Sequence, residues 1–195
     1  MGTLSEQLVE KWLQLQSGGY FQEARDFYFE SLFKAVIEDF ENKTSGIKKG
    51  GTLFSILGYT PEPIILTQRA ILPQKHVIFY SVTRNFESEV YPYLQEYLTS
   101  SYELVPLPDT SFRTIYRCLQ EQININVGED YYLDITGGKK SMVASAAIFA
   151  RDYDVNVLYV DYEEYLSDIR RPKPGTEVLN WVYDPEKDLP ERLKI

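Results

Sequence analysis

The sequence is poor in the residues that build metal and disulfide sites. Of its 195 residues, one is cysteine (Cys118) and one is histidine (His76). A single cysteine excludes an internal disulfide and a cysteine-built zinc site, and a reducing cytoplasm is the expected setting. One histidine excludes histidine clusters around a metal. Long hydrophobic runs are also missing. The longest, residues 142–150, includes Ser145 and falls well short of the ~18 apolar residues of a membrane span. The N-terminus lacks the basic stretch and apolar core of a secretory signal. Positive charge is in deficit, with 20 Lys and Arg against 29 Asp and Glu and a net charge of −9. That argues against a basic face for a long nucleic acid, but it leaves room for a local basic pocket around a small anion. What remains is ordinary for one globular domain with a short appendage: 44% hydrophobic and 14% aromatic residues supply ample core and ligand-site area.

Two regions separate along the chain. Leu4, Leu8, Trp12 and Leu15 recur at helical spacing until Ser17, Gly18 and Gly19 stop the pattern. A second helix is expected over residues 21–42, with Phe29, Phe33, Val36, Ile37 and Phe40 on one stripe. Residues 44–51 form a joint rich in Gly, Ser and Lys. Residues 1–50 therefore read as a helical N-terminal region, and 51–195 as a second region. In the latter, apolar strand-like runs (52–57, 76–82, 102–107, 131–135, 155–161 and 178–182) alternate with helical ones (61–72, 85–99, 111–123, 138–153). Near-continuous apolar strands separated by helices mean a parallel sheet covered on both faces. The fold class is α/β, a Rossmann-like parallel sheet with helices on both faces, and ligands are expected at the carboxyl ends of its strands.

Three loops at that edge carry the chemistry. The fourth strand runs into Asp134-Ile135-Thr136-Gly137-Gly138-Lys139-Lys140-Ser141-Met142. Its glycines let backbone N–H groups turn toward a ligand, and the following helix N-terminus favours an anion. Two lysines in the first helical turn oppose the helix dipole, which points to something anionic. A plain turn with solvated lysines has the same spacing. A Walker A loop fails, because it needs a glycine five residues before Gly138, where Leu133 stands. The first strand ends in Ser55-Ile56-Leu57-Gly58-Tyr59-Thr60-Pro61-Glu62-Pro63. There the Thr60 hydroxyl serves either a phosphate or ribose, or the helix start as an N-cap before Pro61. After the fifth strand, Tyr162 and Tyr165 offer stacking faces. Arg170, Arg171 and Lys173 lie among Pro172 and Pro174 in a stiff basic loop, or form a solvated loop in which Arg170 pairs with Asp168 or Glu164.

Residues 55–63, 134–142 and 171–177, in this order and on this fold, resemble the CRISPR-associated Rossmann fold (CARF) domains. The resemblance spans residues 52–181 and leaves the first fifty uncovered. It implies a homodimer that binds a cyclic oligoadenylate across its two-fold axis, cyclic tetra-adenylate foremost, in type III CRISPR antiviral signalling. On matching positions Thr136, Gly137, Gly138 and Lys140 cradle phosphates and riboses, with Tyr59 and Thr60 beside them and Met142 closing the motif. Lys139 stands where the family usually has Thr, and either strengthens phosphate binding or faces solvent. Arg170 and Arg171 join the set as basic ligand contacts. No cofactor, metal, membrane or long nucleic acid is expected.

Effector signatures are absent. Arg69 and His76 have the spacing of a HEPN-type ribonuclease motif, but Pro73 lies between them. Asp39, Glu41 and Lys43 mimic a nuclease motif on a helix that lacks its strand. Residues 1–50 carry 6 positive and 8 negative charges, unlike a DNA-reading helix. Two readings stay open. One is a metal-independent ring nuclease in which Lys140 stabilises the developing charge and Thr60 orients the scissile ribose. The other is a non-catalytic sensor acting on a protein partner through the helices of residues 1–50. The Phe29, Phe33, Val36 and Phe40 stripe is then either the transmitting surface or simply packed within the chain.

Overall fold

The computed structural model describes residues 5–81, 86–123 and 129–188. Leu4, Val82 and Asn85, which sequence patterning places in helices and a strand, lie outside them. The chain divides into two compact units, Met1–Ile47 with Asp161–Val178, and Lys48–Val160 with Leu179–Ile195. Residues 161–178, which the sequence pattern groups with the strands, thus associate with the helical unit.

In the helical unit, α1 (Glu6–Ser17) ends at Gly18 and at Gly19, whose φ of 79° suits only glycine. The expected helix over 21–42 is interrupted. It comprises α2 (Phe21–Phe27), a π-helical turn at Tyr28–Leu32, and α3 (Phe33–Lys43). A π-turn adds one residue to the helical path, which rotates the apolar stripe. Phe29, Leu32, Phe33, Val36 and Phe40 are all at most 3% exposed as a result. The stripe is therefore covered within the chain and is not an open transmitting surface. A small hairpin, β6 (Tyr165–Leu166) paired antiparallel with β7 (Arg171–Pro172), belongs to the same unit. The reason is apolar contact: Leu166 and Ile169 pack against the cluster of Val9, Trp12, Ala24 and Leu32.

The second unit holds β1 (Thr52–Leu57), α4 (Glu62–Ile71), β2 (Lys75–Ser81), a π-helical turn at Phe86–Val90, α5 (Tyr91–Tyr97) and β3 (Tyr102–Leu107). These are followed by α6 (Phe112–Gln122), β4 (Tyr131–Asp134), α7 (Lys140–Asp152) and β5 (Asn156–Tyr162); β8 (Glu177–Tyr183) completes the sheet. The strand order is β3-β2-β1-β4-β5-β8. The pairs β1–β2, β1–β4, β2–β3 and β4–β5 are parallel, as continuous apolar strands require. All six residues of β1 are buried. Phe54 and Ile56 pack on one face with Val77, Phe79, Leu119, Met142 and Phe149. Ser55 faces the other way, toward His76 and, through it, Gln68 of α4.

Strand order runs outward from β1 to β3 on one side and from β4 to β8 on the other. The reversal lies between β1 and β4. At such a switch point the loops leaving adjacent strands diverge to opposite faces and open a crevice beyond the carboxyl ends.

Candidate functional site

The two loops at the switch point meet through glycine. A side chain on Gly58 would come within 2.8 Å of the Gly138 nitrogen, and one on Gly137 within 2.7 Å of the Gly58 nitrogen and onto the Ile56 carbonyl. Gly138 has φ 87°, the left-handed region. Only glycine permits both the approach and the turn, so these residues fix the backbone at the carboxyl ends of β1 and β4.

Beyond this contact lies a cavity of about 610 Å³, within the usual range for a small-molecule site. The β1 end contributes Leu57, Gly58 and Tyr59. The β4–α7 loop contributes Gly138, Lys139, Lys140 and Met142, and the β2 end and the π-turn contribute Tyr80, Ser81, Phe86, Glu89 and Val90. Tyr59 is 78% exposed and offers a full ring face. Tyr80 and Phe86 stack with ring centroids 4.3 Å apart at 18°. Lys139 is the N-cap residue of α7 and Lys140 its first residue. Both are exposed, and neither has an ion-pair partner among the described residues. Lys139 N–H donates to the Met142 sulfur at 3.5 Å, which ties the helix start to the core residue below it.

Under the loop sits a buried polar relay. Asp134 Oδ1 accepts from the Thr136 N–H (2.9 Å) and hydroxyl (2.6 Å), and the same hydroxyl accepts from Val160 N–H at 2.7 Å. Thr136 thus clasps β4 to β5, and its hydroxyl is engaged inside the protein. Burial pushes the Asp134 carboxyl up to about 6, against the lowering effect of Thr136 and of the Thr67 and Ser55 hydroxyls. Oδ2 makes no well-formed hydrogen bond; Ser55 and Thr67 act on it from nearby. Gln68 fixes the neighbouring histidine. Its Oε1 accepts from Thr99 N–H (2.8 Å) and Ser100 N–H (3.2 Å). Its amide N–H therefore donates to His76 Nδ1 at 3.0 Å, and His76 Nε2–H is left to donate to Ser55 Oγ at 3.0 Å. Burial pushes His76 down to about 3, so it is neutral at physiological pH. His76 (1% exposed) and Asp134 (0%) are sealed from the cavity.

Of the residues singled out in the sequence, Tyr59, Gly138, Lys139, Lys140 and Met142 line the cavity, and Gly137 packs behind it. Thr60 is exposed beside Tyr59 but is not among the lining residues. Its expected capping role is not seen either: Pro61 occupies the N-cap of α4, without a side-chain cap. Arg170 and Arg171 are exposed at the β6–β7 hairpin of the helical unit, and Arg170 adopts φ 53°. Lys173 pairs with Glu164 at 2.7 Å. Sequence reading missed the wall of Tyr80, Phe86, Glu89 and Val90. The rule that ligands gather at strand carboxyl ends applies equally to β2, and was the available signal. Among the described residues no group of His, Cys, Asp and Glu is arranged to hold a metal, and no helix is long and apolar enough to cross a membrane.

No family model matches the chain. One curated relative, the CRISPR system endoribonuclease Csm6 of Thermus thermophilus, is 38% identical over 85 residues, covering 41% of this chain and 18% of that protein. The chain therefore corresponds to less than a fifth of that relative's length. Two solved structures are similar at a low level. Can2 from Sulfobacillus thermosulfidooxidans in complex with cyclic tetra-adenylate has a TM-score of 0.49 and 18% identity, covering 69% of this chain and 37% of that one. VC1899 from Vibrio cholerae has a TM-score of 0.45 and 12% identity, covering 68% and 33%. The two loop motifs thus meet at the switch point of a parallel sheet in a chain that is similar, over 85 residues, to part of a CRISPR system endoribonuclease.

Proposed function

We propose that this protein binds a cyclic oligoadenylate of type III CRISPR antiviral signalling, with cyclic tetra-adenylate as the ligand, across the two-fold axis of a homodimer. The observation that carries the reading is the cavity at the switch point, where Lys139 and Lys140 stand at the start of α7 beside the glycine-built loop contact. Lysines there oppose the dipole of α7, and a bound phosphate removes that conflict. Size supports two copies. A cavity of about 610 Å³ suits one drug-sized ligand, so a ring of four nucleotides needs two such cavities facing each other. The net charge of −9 fits a compact anion and disfavours a long one.

A second reading adds slow cleavage, favoured by the presence of Lys140 in the cavity wall. A ribose 2′-hydroxyl attacks the adjacent phosphorus, the bond to the 5′-oxygen breaks, and the 2′-proton passes to that oxygen, leaving a 2′,3′-cyclic phosphate. Lys140 stabilises the charge that builds on the phosphoryl oxygens. His76 and Asp134 are too deeply buried to serve as the base. The deciding experiment incubates the purified protein with labelled cyclic tetra-adenylate in EDTA and resolves the products. Linear products lost in Lys140→Ala support cleavage, whereas intact ring recovered from a stable complex leaves a sensor.

A further inference from the structure

The polar relay under the β4–α7 loop runs across four strands, and its donors converge on Asp134 from both sides. From one side Gln68 of α4 donates to His76 of β2, and His76 donates to Ser55 of β1. Ser55 Oγ already accepts that bond, so its own hydrogen turns to the carboxyl of Asp134, its register partner on β4. The Thr67 hydroxyl of α4 acts on the same carboxyl. From the other side Val160 N–H of β5 donates to Thr136 Oγ1, and the Thr136 hydroxyl and N–H donate to Asp134 Oδ1. Immediately beyond Thr136 the chain turns through Gly137 and Gly138, and Gly138, Lys139 and Lys140 then line the cavity. Glycines restrain a turn little by themselves, so its direction depends on what holds its two ends. Helix α7 holds one end. Thr136 holds the other, and Asp134 holds Thr136.

We infer that Asp134 is a positioning residue for ligand binding: by fixing Thr136, it sets the direction in which Gly138, Lys139 and Lys140 enter the cavity. This rests on the cyclic oligoadenylate reading of that cavity. Asp134 is fully enclosed and touches no ligand itself; it acts through Thr136.

The test titrates cyclic tetra-adenylate into the full chain as wild type, Asp134→Ala, Asp134→Asn and Leu119→Ala, over about pH 5 to pH 8. Leu119, 0% exposed on α6, controls for lost stability alone and should bind as wild type does below its melting transition. Removing the acceptor of two hydrogen bonds corresponds to roughly a tenfold loss of affinity in Asp134→Ala. Asp134→Asn keeps an oxygen for both donors and should stay within about twofold of wild type at the acid end. Around the carboxyl stand the hydroxyls of Ser55, Thr67 and Thr136 and, behind Ser55, His76, which is neutral over this range. Ionising Asp134 therefore adds a buried negative charge below a loop that receives phosphates. Wild-type affinity should fall relative to that of Asp134→Asn as pH rises. Wild-type affinity in Asp134→Ala overturns the assignment, as does an equal loss in Leu119→Ala or no rescue by Asp134→Asn. Should Asp134→Ala not fold, the pH curves of wild type and Asp134→Asn decide, and parallel curves overturn it. Failure of wild type to bind the ring refutes the ligand itself, and this inference with it.

Discussion

Asp134 beneath the β4–α7 loop makes a prediction whose sign is fixed by its environment. Burial raises its carboxyl from the ordinary 3.8 to about 6. The folded state therefore holds this proton more tightly than the unfolded chain does. Stability contributed by the neutral form is present below pH 3.8 and is lost as pH rises to about 6. At 1.36 kcal/mol per unit, the loss is roughly 3 kcal/mol. His76 works in the opposite sense. Its pKa is lowered from 6.5 to about 3, so stability is lost as pH falls across that window, by roughly 5 kcal/mol over its full width. Between pH 4 and 6 the two slopes oppose each other, and wild type shows a shallow net dependence from this pair. Asp134→Asn removes one of them. Its amide oxygen still accepts from the Thr136 N–H and hydroxyl, so the loop anchor is retained. Urea melts of both proteins at half-unit pH steps should show the variant's advantage growing by roughly 2 kcal/mol from pH 4 to pH 7. Parallel curves, or an advantage that shrinks as pH rises, would refute the idea that burial governs Asp134.

Other outcomes follow from the same geometry. Gly137→Ala forces a Cβ onto the Ile56 carbonyl and the Gly58 nitrogen; it should cost roughly 1–3 kcal/mol in a denaturant melt and weaken ligand binding as well. Lys140→Ala should lower cyclic tetra-adenylate affinity by about tenfold and flatten its dependence on salt, both read by titration. In the helical unit, burial raises Glu177 from 4.5 to about 7, so ionisation costs stability as pH rises through that window. Glu177→Gln should consequently gain more stability at pH 8 than at pH 5 in paired thermal melts. Phe79→Ala, emptying a site with 0% exposure, should cost about 3–5 kcal/mol.

The strands were legible because a parallel sheet buried on both faces demands unbroken apolar runs. The run at 52–57 coincides with β1 to the residue, and all of it is buried; 102–107 also coincides with β3, although that edge strand carries Glu103 and buries only Leu107. The π-turn at Tyr28–Leu32 was not legible. It inserts one residue with neither Gly nor Pro to mark it, and the apolar spacing reads as a single helix on either side. The β6–β7 strands are two residues each, too short for any period to register. At the site, glycine and lysine announced the β4–α7 loop because their placement conflicts with ordinary helix starts. Phe86, Glu89 and Val90 gave no such conflict and read as part of a helix. Asp134 reads in sequence as the polar exit of a strand, and only three-dimensional packing shows that its carboxyl is fully enclosed.

The central claim, recognition of a small cyclic polyanion by paired cavities, is tested most directly by calorimetric titration of the purified protein with cyclic tetra-adenylate. The expected result is saturable binding with a Kd of about 1 μM or tighter, at one ring per two chains. Absence of binding at ligand concentrations up to about 100 μM, or saturation at one ring per chain, would contradict it.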